Sequence, residues 1–158
     1  MPSILSLKDR TTLRNYIQEI RSKNKKIVFT NGCFDIIHPG HIALLKKAKS
    51  YGDILIVAIN SDRSVRNIKG KYRPILNEKA RIKIISAIKY VDRVAIFDEP
   101  TPYKLIKAIH PDVLVKGGDW EENSIVGRQF ARKVIRIKLI KGYSTSSIIK
   151  SILKKYGG

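Results

Sequence analysis

The chain has 158 residues, 43% hydrophobic and 28% charged, which fits one globular domain with its own core and excludes global disorder. Its longest uninterrupted apolar run, 54–59, is six residues, far short of the roughly 20 that a membrane-spanning helix needs, and residues 1–10 lack the apolar core of a secretory leader. The single cysteine, Cys33, excludes a disulfide framework and a four-cysteine zinc site, so the expected compartment is the cytoplasm, with no membrane partner.

Thirty-two Lys and Arg face thirteen Asp and Glu, a net charge of +19, and residues 123–158 carry nine basic side chains and no acidic one. Such a balance suits a nucleic-acid surface or a site for phosphorylated small molecules. The basic residues are spread through the chain and form no block interleaved with aromatics, so most of them read as a solvated face rather than a specific nucleic-acid interface.

In chain order, 6–23 reads as a helix, with Ser6 and Asp9 resembling a capping box and Leu13, Ile17 and Ile20 on one stripe. Residues 27–30 read as a short buried strand. Residues 42–51 read as a helix with Leu44, Leu45 and Ala48 inward, ended by Gly52. The run 54–59 suits a strand covered on both faces. Asn77 caps a helix reaching 90, and 94–97 is a strand. Thr101 caps, and Pro102 opens, a helix to 109. A strand at 113–115, a short helix over 125–132, an alternating strand at 135–139 and a helix capped by Ser144 and reaching about 154 complete the pattern. Strands alternating with helices indicate an α/β fold, a Rossmann-like α/β/α sandwich with a mainly parallel five-stranded sheet. Residues 1–25 are expected as an appended N-terminal helix and 26–158 as the functional domain. Ligands in such sheets bind beyond the carboxyl ends of the strands. That directs attention to 31–41, 60–74, 116–127 and 141–147, which are also the Gly- and polar-rich segments.

Two of the chain's three histidines, His38 and His41, lie three apart around Gly40 in the first of these segments. A helix N-terminus binds anions through its free N–H groups and its dipole, and two imidazoles there can hydrogen-bond phosphate oxygens. Spacing alone leaves a pair of capping histidines equally open. Asp35 either sits near an acceptor phosphate or braces the loop. Gly117-Gly118 either admits a ligand to the backbone or forms a turn, and Ser144-Thr145-Ser146 either meets a ligand or caps a helix. Cys33 has no paired base that would make it a nucleophile. His110, before Pro111, reads as incidental.

The full stretch 32–41, Gly-Cys-Phe-Asp-Ile-Ile-His-Pro-Gly-His, resembles the signature of the cytidylyltransferase-like nucleotidyltransferases. Within them the chain is similar to the heptose-phosphate adenylyltransferases, or ADP-heptose synthases. The similarity runs from about Lys26 to Leu153, through Asn60-Ser61-Asp62, Lys69-Gly70, Arg73-Pro74, Arg81, Val91-Asp92, Thr101-Pro102, the stretch Pro111 to Asp119, Ile125-Val126-Gly127 and Ser144-Thr145-Ser146. The resemblance implies transfer of AMP from ATP to a heptose 1-phosphate, with pyrophosphate leaving and Mg²⁺ required. It implies that His38, His41, Lys69 and Arg81 are catalytic, with Lys69 in the loop after the second strand and Arg81 on the next helix. It implies nucleotide contacts from Gly32, Cys33, Phe34, Gly40, Asn60, Lys116, Gly117, Gly118, Asp119, Ser144, Thr145 and Ser146, and acceptor contacts from Asp35 and Arg73. It further implies a homodimer and, since the fused sugar kinase of many members is missing here, a separate kinase chain. Three positions depart from the pattern. Ala43 replaces the lysine typical of glycerol-phosphate cytidylyltransferases, Ser146 stands where Thr is common, and Trp120 stands where the heptose enzymes have Tyr and cytidylyltransferases often Trp. Glycerol-3-phosphate cytidylyltransferase and archaeal-type FMN adenylyltransferase are the enzymatic alternatives, and a basic nucleic-acid-binding module the non-enzymatic one.

Overall fold

The apolar run in the middle of the chain becomes the middle of the sheet. In the computed structural model, which describes residues 3–118 and 120–158, β3 (Ile54–Asn60) lies between β2 (Ile27–Gly32) and β4 (Arg93–Phe97). Leu55 to Ile59 have no exposed surface. Side chains alternate along a strand, so Ile56 and Ala58 join one core cluster while Leu55, Val57 and Ile59 join the other. Helices cover both faces. α1 (Arg10–Ser22) and α5 (Tyr103–Ile109) bury Leu13, Ile17, Ile20, Leu105, Ile106 and Ile109 on the first. α2 (Pro39–Lys49) and α4 (Glu78–Ser86) bury Leu44, Leu45, Ala48 and Ile85 on the second.

The sheet has six strands, all parallel, in the order β1-β4-β3-β2-β5-β6, where β1 is Leu5–Ser6, β5 Val113–Gly117 and β6 Lys133–Ile137. The expectation of five strands missed β1, a two-residue strand pairing Leu5 with Ala95 and Ser6 with Ile96. Two residues carry no periodicity. Ser6 therefore belongs to a strand, and the N-cap of α1 is Asp9, whose carboxylate accepts from the Thr12 N–H at 3.0 Å. Residues 5–22 share the core formed by Phe29, Ile56 and Leu114.

Other boundaries shift for local reasons. α2 begins at Pro39, at the histidine motif itself, because His38 caps it. α3 (Asp62–Lys69) occupies a segment expected as loop; Ser61 caps it by accepting from the Ser64 N–H at 3.2 Å. α4 starts after the Asn77 cap, as expected, but ends at Ser86. Pro102, not Thr101, is the N-cap position of α5, and no side chain caps it. Two 3-10 turns, Glu122–Ser124 and Arg128–Phe130, replace the short helix. α6 (Thr145–Tyr156) starts at a capping box in which Ser144 and Ser147 satisfy each other's backbone N–H groups. Among the described residues no helix is long and apolar enough to cross a membrane.

The chain places β2, β3 and β4 successively on one side and then returns to β2's other side with β5. That reversal is the topological switch point, where open α/β sheets hold their ligands. Leu13 and Ile17 are 3% and 7% exposed, so Leu13→Ala or Ile17→Ala is expected to destabilise the whole fold by about 2–5 kcal/mol. A single cooperative transition shifted to lower temperature in calorimetry is the expected result, and a separate early transition for the N-terminal segment would contradict it.

Candidate active site

At the carboxyl ends of β2 and β3, the chain forms a cleft of about 290 Å³. Of the residues expected to be functional, Cys33, Phe34, Asp35, His38, Gly40, His41, Lys69, Arg73, Ser144, Thr145 and Ser146 line it. Leu44, Leu139, Ile140 and Tyr143 also line it. Sequence reasoning missed these four because they are ordinary apolar residues.

The histidine pair forms the cleft's base. His38 has extended backbone (φ −141°, ψ 169°), and its Nδ1 accepts from the Gly40 N–H at 3.1 Å. That bond fixes the tautomer and leaves Nε2 as the donor nitrogen. A Cβ on residue 40 would lie 2.9 Å from His38 Cε1, so Gly40 is needed for the ring to fold back. The His41 ring stacks on His38, centroids 3.8 Å apart at 25°, and Tyr143 lies beyond His38 at 6.4 Å and 19°. Burial, and secondarily the neighbouring His38, push the His41 imidazolium down to about 4, while burial lowers His38 as well. His41 Nδ1 is buried without a hydrogen-bond partner, so a proton there has no acceptor. Both rings therefore stand neutral at physiological pH, offering donors to an anion without adding charge.

The loop between α3 and α4 is held by a buried carboxylate. Asp35 is 1% exposed. Its Oδ2 accepts from Arg73 Nε at 2.7 Å, and its oxygens take the N–H groups of Ile75 at 2.8 and 3.0 Å and Leu76 at 2.9 Å. Burial raises its pKa, but these donors outweigh burial and hold it below the usual value. Of the two readings open for Asp35, the contacts match the brace. With both oxygens taken it does not fit as a ligand for Mg²⁺, and no group of three His, Cys, Asp or Glu among the described residues is placed to hold a metal.

Lys69 is the last residue of α3, not a loop residue, and its exposed side chain borders the cleft. Arg81 is placed otherwise. Its side chain is fully buried and does not line the cleft. Nε donates to Leu76 O at 3.0 Å, Nη1 to Cys33 O and Asn60 O at 2.8 Å each, and Nη2 to Asp62 Oδ1 at 2.8 Å. The expectation that Arg81 is catalytic does not match this geometry, because its guanidinium is engaged with the protein.

Gly32, Asn60, Lys116, Gly117 and Gly118 are not among the residues that line the cleft. Asn60 is 4% exposed and donates to Ser64 Oγ at 2.9 Å. Lys116 donates to Asn31 Oδ1 at 3.0 Å and lies 5.6 Å from the Trp120 ring centroid, and burial lowers its pKa. A Cβ on Gly117 would meet Leu139 at 2.9 Å, so that glycine lets Leu139 close the wall. Asp119 lies outside the described residues. Cys33 lines the cleft with its thiol pushed up by burial, unlike an activated nucleophile.

An unfolded histidine takes its proton near 6.5, whereas folded His41 takes it near 4. Between those values the unfolded state binds more protons, so His41's contribution is full above pH 6.5 and is lost as pH falls towards 4. Thermal midpoints measured against pH are expected to fall less steeply over this window for His41→Gln than for the parent. Parallel curves would contradict the assignment.

The chain is similar to several known proteins. A family model described as Cytidylyltransferase-like matches residues 29–151. Bifunctional protein HldE of Wolinella succinogenes is 51% identical over 148 residues, covering 91% of this chain and 31% of the relative. Its counterpart in Geobacter metallireducens is 45% identical over 155 residues, covering 96% and 32%. The chain thus spans about a third of the length of these curated relatives. The crystal structure of the lipopolysaccharide core biosynthesis protein from Thermoplasma volcanium superposes with a TM-score of 0.62 at 31% identity, over 76% of this chain and 99% of that one. A pantoate-beta-alanine ligase from Francisella tularensis, at 18% identity and TM-score 0.62 over 94% and 77%, shares the fold. The histidine cleft at the switch point and a family match over most of the chain lead to one conclusion: this chain belongs to the cytidylyltransferase-like family and is a nucleotidyltransferase.

Proposed function

We propose that the chain transfers AMP from ATP to a heptose 1-phosphate, releasing pyrophosphate. The observation that carries the reaction type is the stacked, neutral His38–His41 pair at the N-terminus of α2, facing Lys69 and the start of α6 across one cleft. The choice of ATP and heptose is supported by the resemblance to ADP-heptose synthases and by the relatives named bifunctional protein HldE.

A phosphate oxygen of the acceptor attacks the α-phosphorus in line, the bond from that phosphorus to the bridging oxygen breaks, and pyrophosphate leaves with the electron pair. No covalent intermediate on the protein is required. His38 Nε2–H and the His41 ring donate to oxygens on which charge grows in the transition state. Lys69 offsets charge on the departing pyrophosphate. Ser144, Thr145 and Ser146 present hydroxyls and the free N–H groups of the α6 start to the nucleotide. Asp35 and Arg73 hold the acceptor side through the loop they brace. A Mg²⁺ required by the reaction would be held by phosphate oxygens and water rather than by Asp35.

Pyrophosphate release with four nucleotides against heptose 1-phosphate, glycerol 3-phosphate and FMN tests the pairing. ATP with heptose 1-phosphate is expected to turn over fastest. Faster turnover of CTP with glycerol 3-phosphate would overturn the substrate assignment and leave the transfer chemistry standing.

Three substitutions separate the roles. His41→Ala is expected to lower kcat by about 10²-fold or more, the scale for losing a transition-state donor, with the fold intact. Lys69→Gln is expected to slow single-turnover pyrophosphate release at unchanged melting temperature. Arg81→Gln is expected to cost about 3–5 kcal/mol of stability, the scale for breaking a buried charge network. A stable Arg81→Gln protein impaired only in turnover would instead return Arg81 to the reaction centre.

A further inference from the structure

The layer formed by α1 and α5 lies across the sheet from Phe34 and Leu44 of the cleft. Between these two helices runs a groove of about 700 Å³, over twice the volume of the cleft, and no residue lines both. Arg21 ties the two walls together at one end by donating to the Ile109 and His110 carbonyls. The floor is apolar, because Leu13 and Ile17 of the core show their remaining 3% and 7% of surface there, with Ala108 beside them.

The rim carries one sign. Arg10 and Arg14 stand four apart on α1, and Lys104 and Lys107 three apart on α5. All four are exposed, and no carboxylate lines the groove. Arg10, Arg14 and Lys107 take part in none of the ion pairs among the described residues, and Lys104 meets Glu99 only at 3.8 Å with 71% of its side chain exposed. The arrangement works against α1. A cation in the first turn opposes the helix dipole, and like charges four apart repel, yet α1 begins at Arg10 and has no acidic residue in its first turn. Local choices that cost helix stability and gain no contact within the chain mark a functional surface.

Shape and sign together select the occupant. A lipid surface is met by apolar side chains that project from a helix, whereas Leu13 and Ile17 are recessed and can be reached only by a convex partner that enters the groove. A second copy of this chain would bring a net charge of +19 to a cationic rim. An acidic amphipathic helix supplies what is missing, with apolar side chains one turn apart to enter the groove and carboxylates on both flanks. We propose that the groove between α1 and α5 docks such a helix from another protein, its apolar stripe on Leu13 and Ile17 and its carboxylates on Arg10, Arg14, Lys104 and Lys107. The docking does not depend on the nucleotidyl-transfer reading of the cleft. From Arg10 to Gln18 the α1 wall is about 12 Å long, at about 1.5 Å per residue, so the contact belongs with the small, transient interfaces.

Fluorescence anisotropy of a labelled synthetic peptide tests this. The probe is a helix of about 15 residues, a length that can hold in water, with Leu spaced i, i+3, i+4 and i+7 and Glu on both flanks. The parent is expected to bind it with micromolar affinity that weakens as salt rises, and to bind a scrambled peptide of the same composition about tenfold more weakly. Arg14→Glu/Lys107→Glu, and the milder Arg14→Gln/Lys107→Gln, are expected to lose about tenfold or more in affinity at unchanged melting temperature. Lys154→Glu/Lys155→Glu removes as much positive charge as the first variant but outside the groove, and is expected to keep parental affinity. No binding by the parent, equal binding of the scrambled peptide, an equal loss in the Lys154/Lys155 variant, or parental affinity in both groove variants overturns the docking site. So does a parent that ignores the peptide and sediments with phosphatidylglycerol vesicles through Arg14 and Lys107, which would assign the rim to a lipid surface.

Discussion

The buried guanidinium of Arg81 is the constraint on which the cleft depends. Taking a cation out of water costs several kcal/mol unless its donors are met. Here they are met by Cys33 O beyond the end of β2, by Asn60 O at the end of β3, by Leu76 O ahead of α4 and by Asp62 at the start of α3. Two central strands, the helix that carries Lys69 and the loop before α4 are thereby joined at one point. No apolar side chain of the same volume would satisfy the three carbonyls, so the charge is used to fix the relative positions of chain ends that otherwise leave the sheet separately.

Asp35 repeats the device with the opposite sign. It is buried against the same loop, and it gathers Arg73 and the backbone N–H groups of Ile75 and Leu76. Asp35 and Arg81 both bond Leu76, one through its N–H and the other through its carbonyl, so the segment linking α3 to α4 is held although it has no regular structure of its own. Asp35 and Arg73 are engaged with each other and with the loop, and Lys69 and the neutral histidines line the cleft beside them. This division suits a transfer between two phosphates, in which the acceptor is itself an anion that excess fixed charge would trap and a geometric error would misalign.

The third wall is built differently. Ser144 to Ser146 arrive on a helix anchored through its first turn and the half-buried Ile148 and Ile149, with no fully buried residue. The histidine pair faces this lightly attached wall across a cleft of about 290 Å³. Gly117 contributes by letting Leu139 approach the backbone, which joins the end of β5 to the same wall.

Particular residues show how far the sequence by itself determined this protein. The apolar run 54–59 identified the central strand, the stripes of α1 and α2 identified two covering helices, and the histidine pair singled out the segment after β2 while its spacing left capping and ligand contact both open. Each is a local pattern, repeated at the period of its own element, and needs no knowledge of distant residues. What only the tertiary structure decided lies in contacts between segments far apart in sequence. β1 is two residues long and exists because Ala95 and Ile96 pair with it. Arg81 looks from sequence like any helical arginine beside a phosphate motif, and only the convergence of carbonyls from three segments turns it into a clamp. Lys69 moved from loop to helix because Ser61 supplies a cap, which composition does not reveal. Leu139, Ile140 and Tyr143 became cleft residues because the chain after β6 folds back over the histidines. Periodicity records which face of an element is buried, but not which other element buries it, and the division of charges between scaffold and reaction was settled by that second fact.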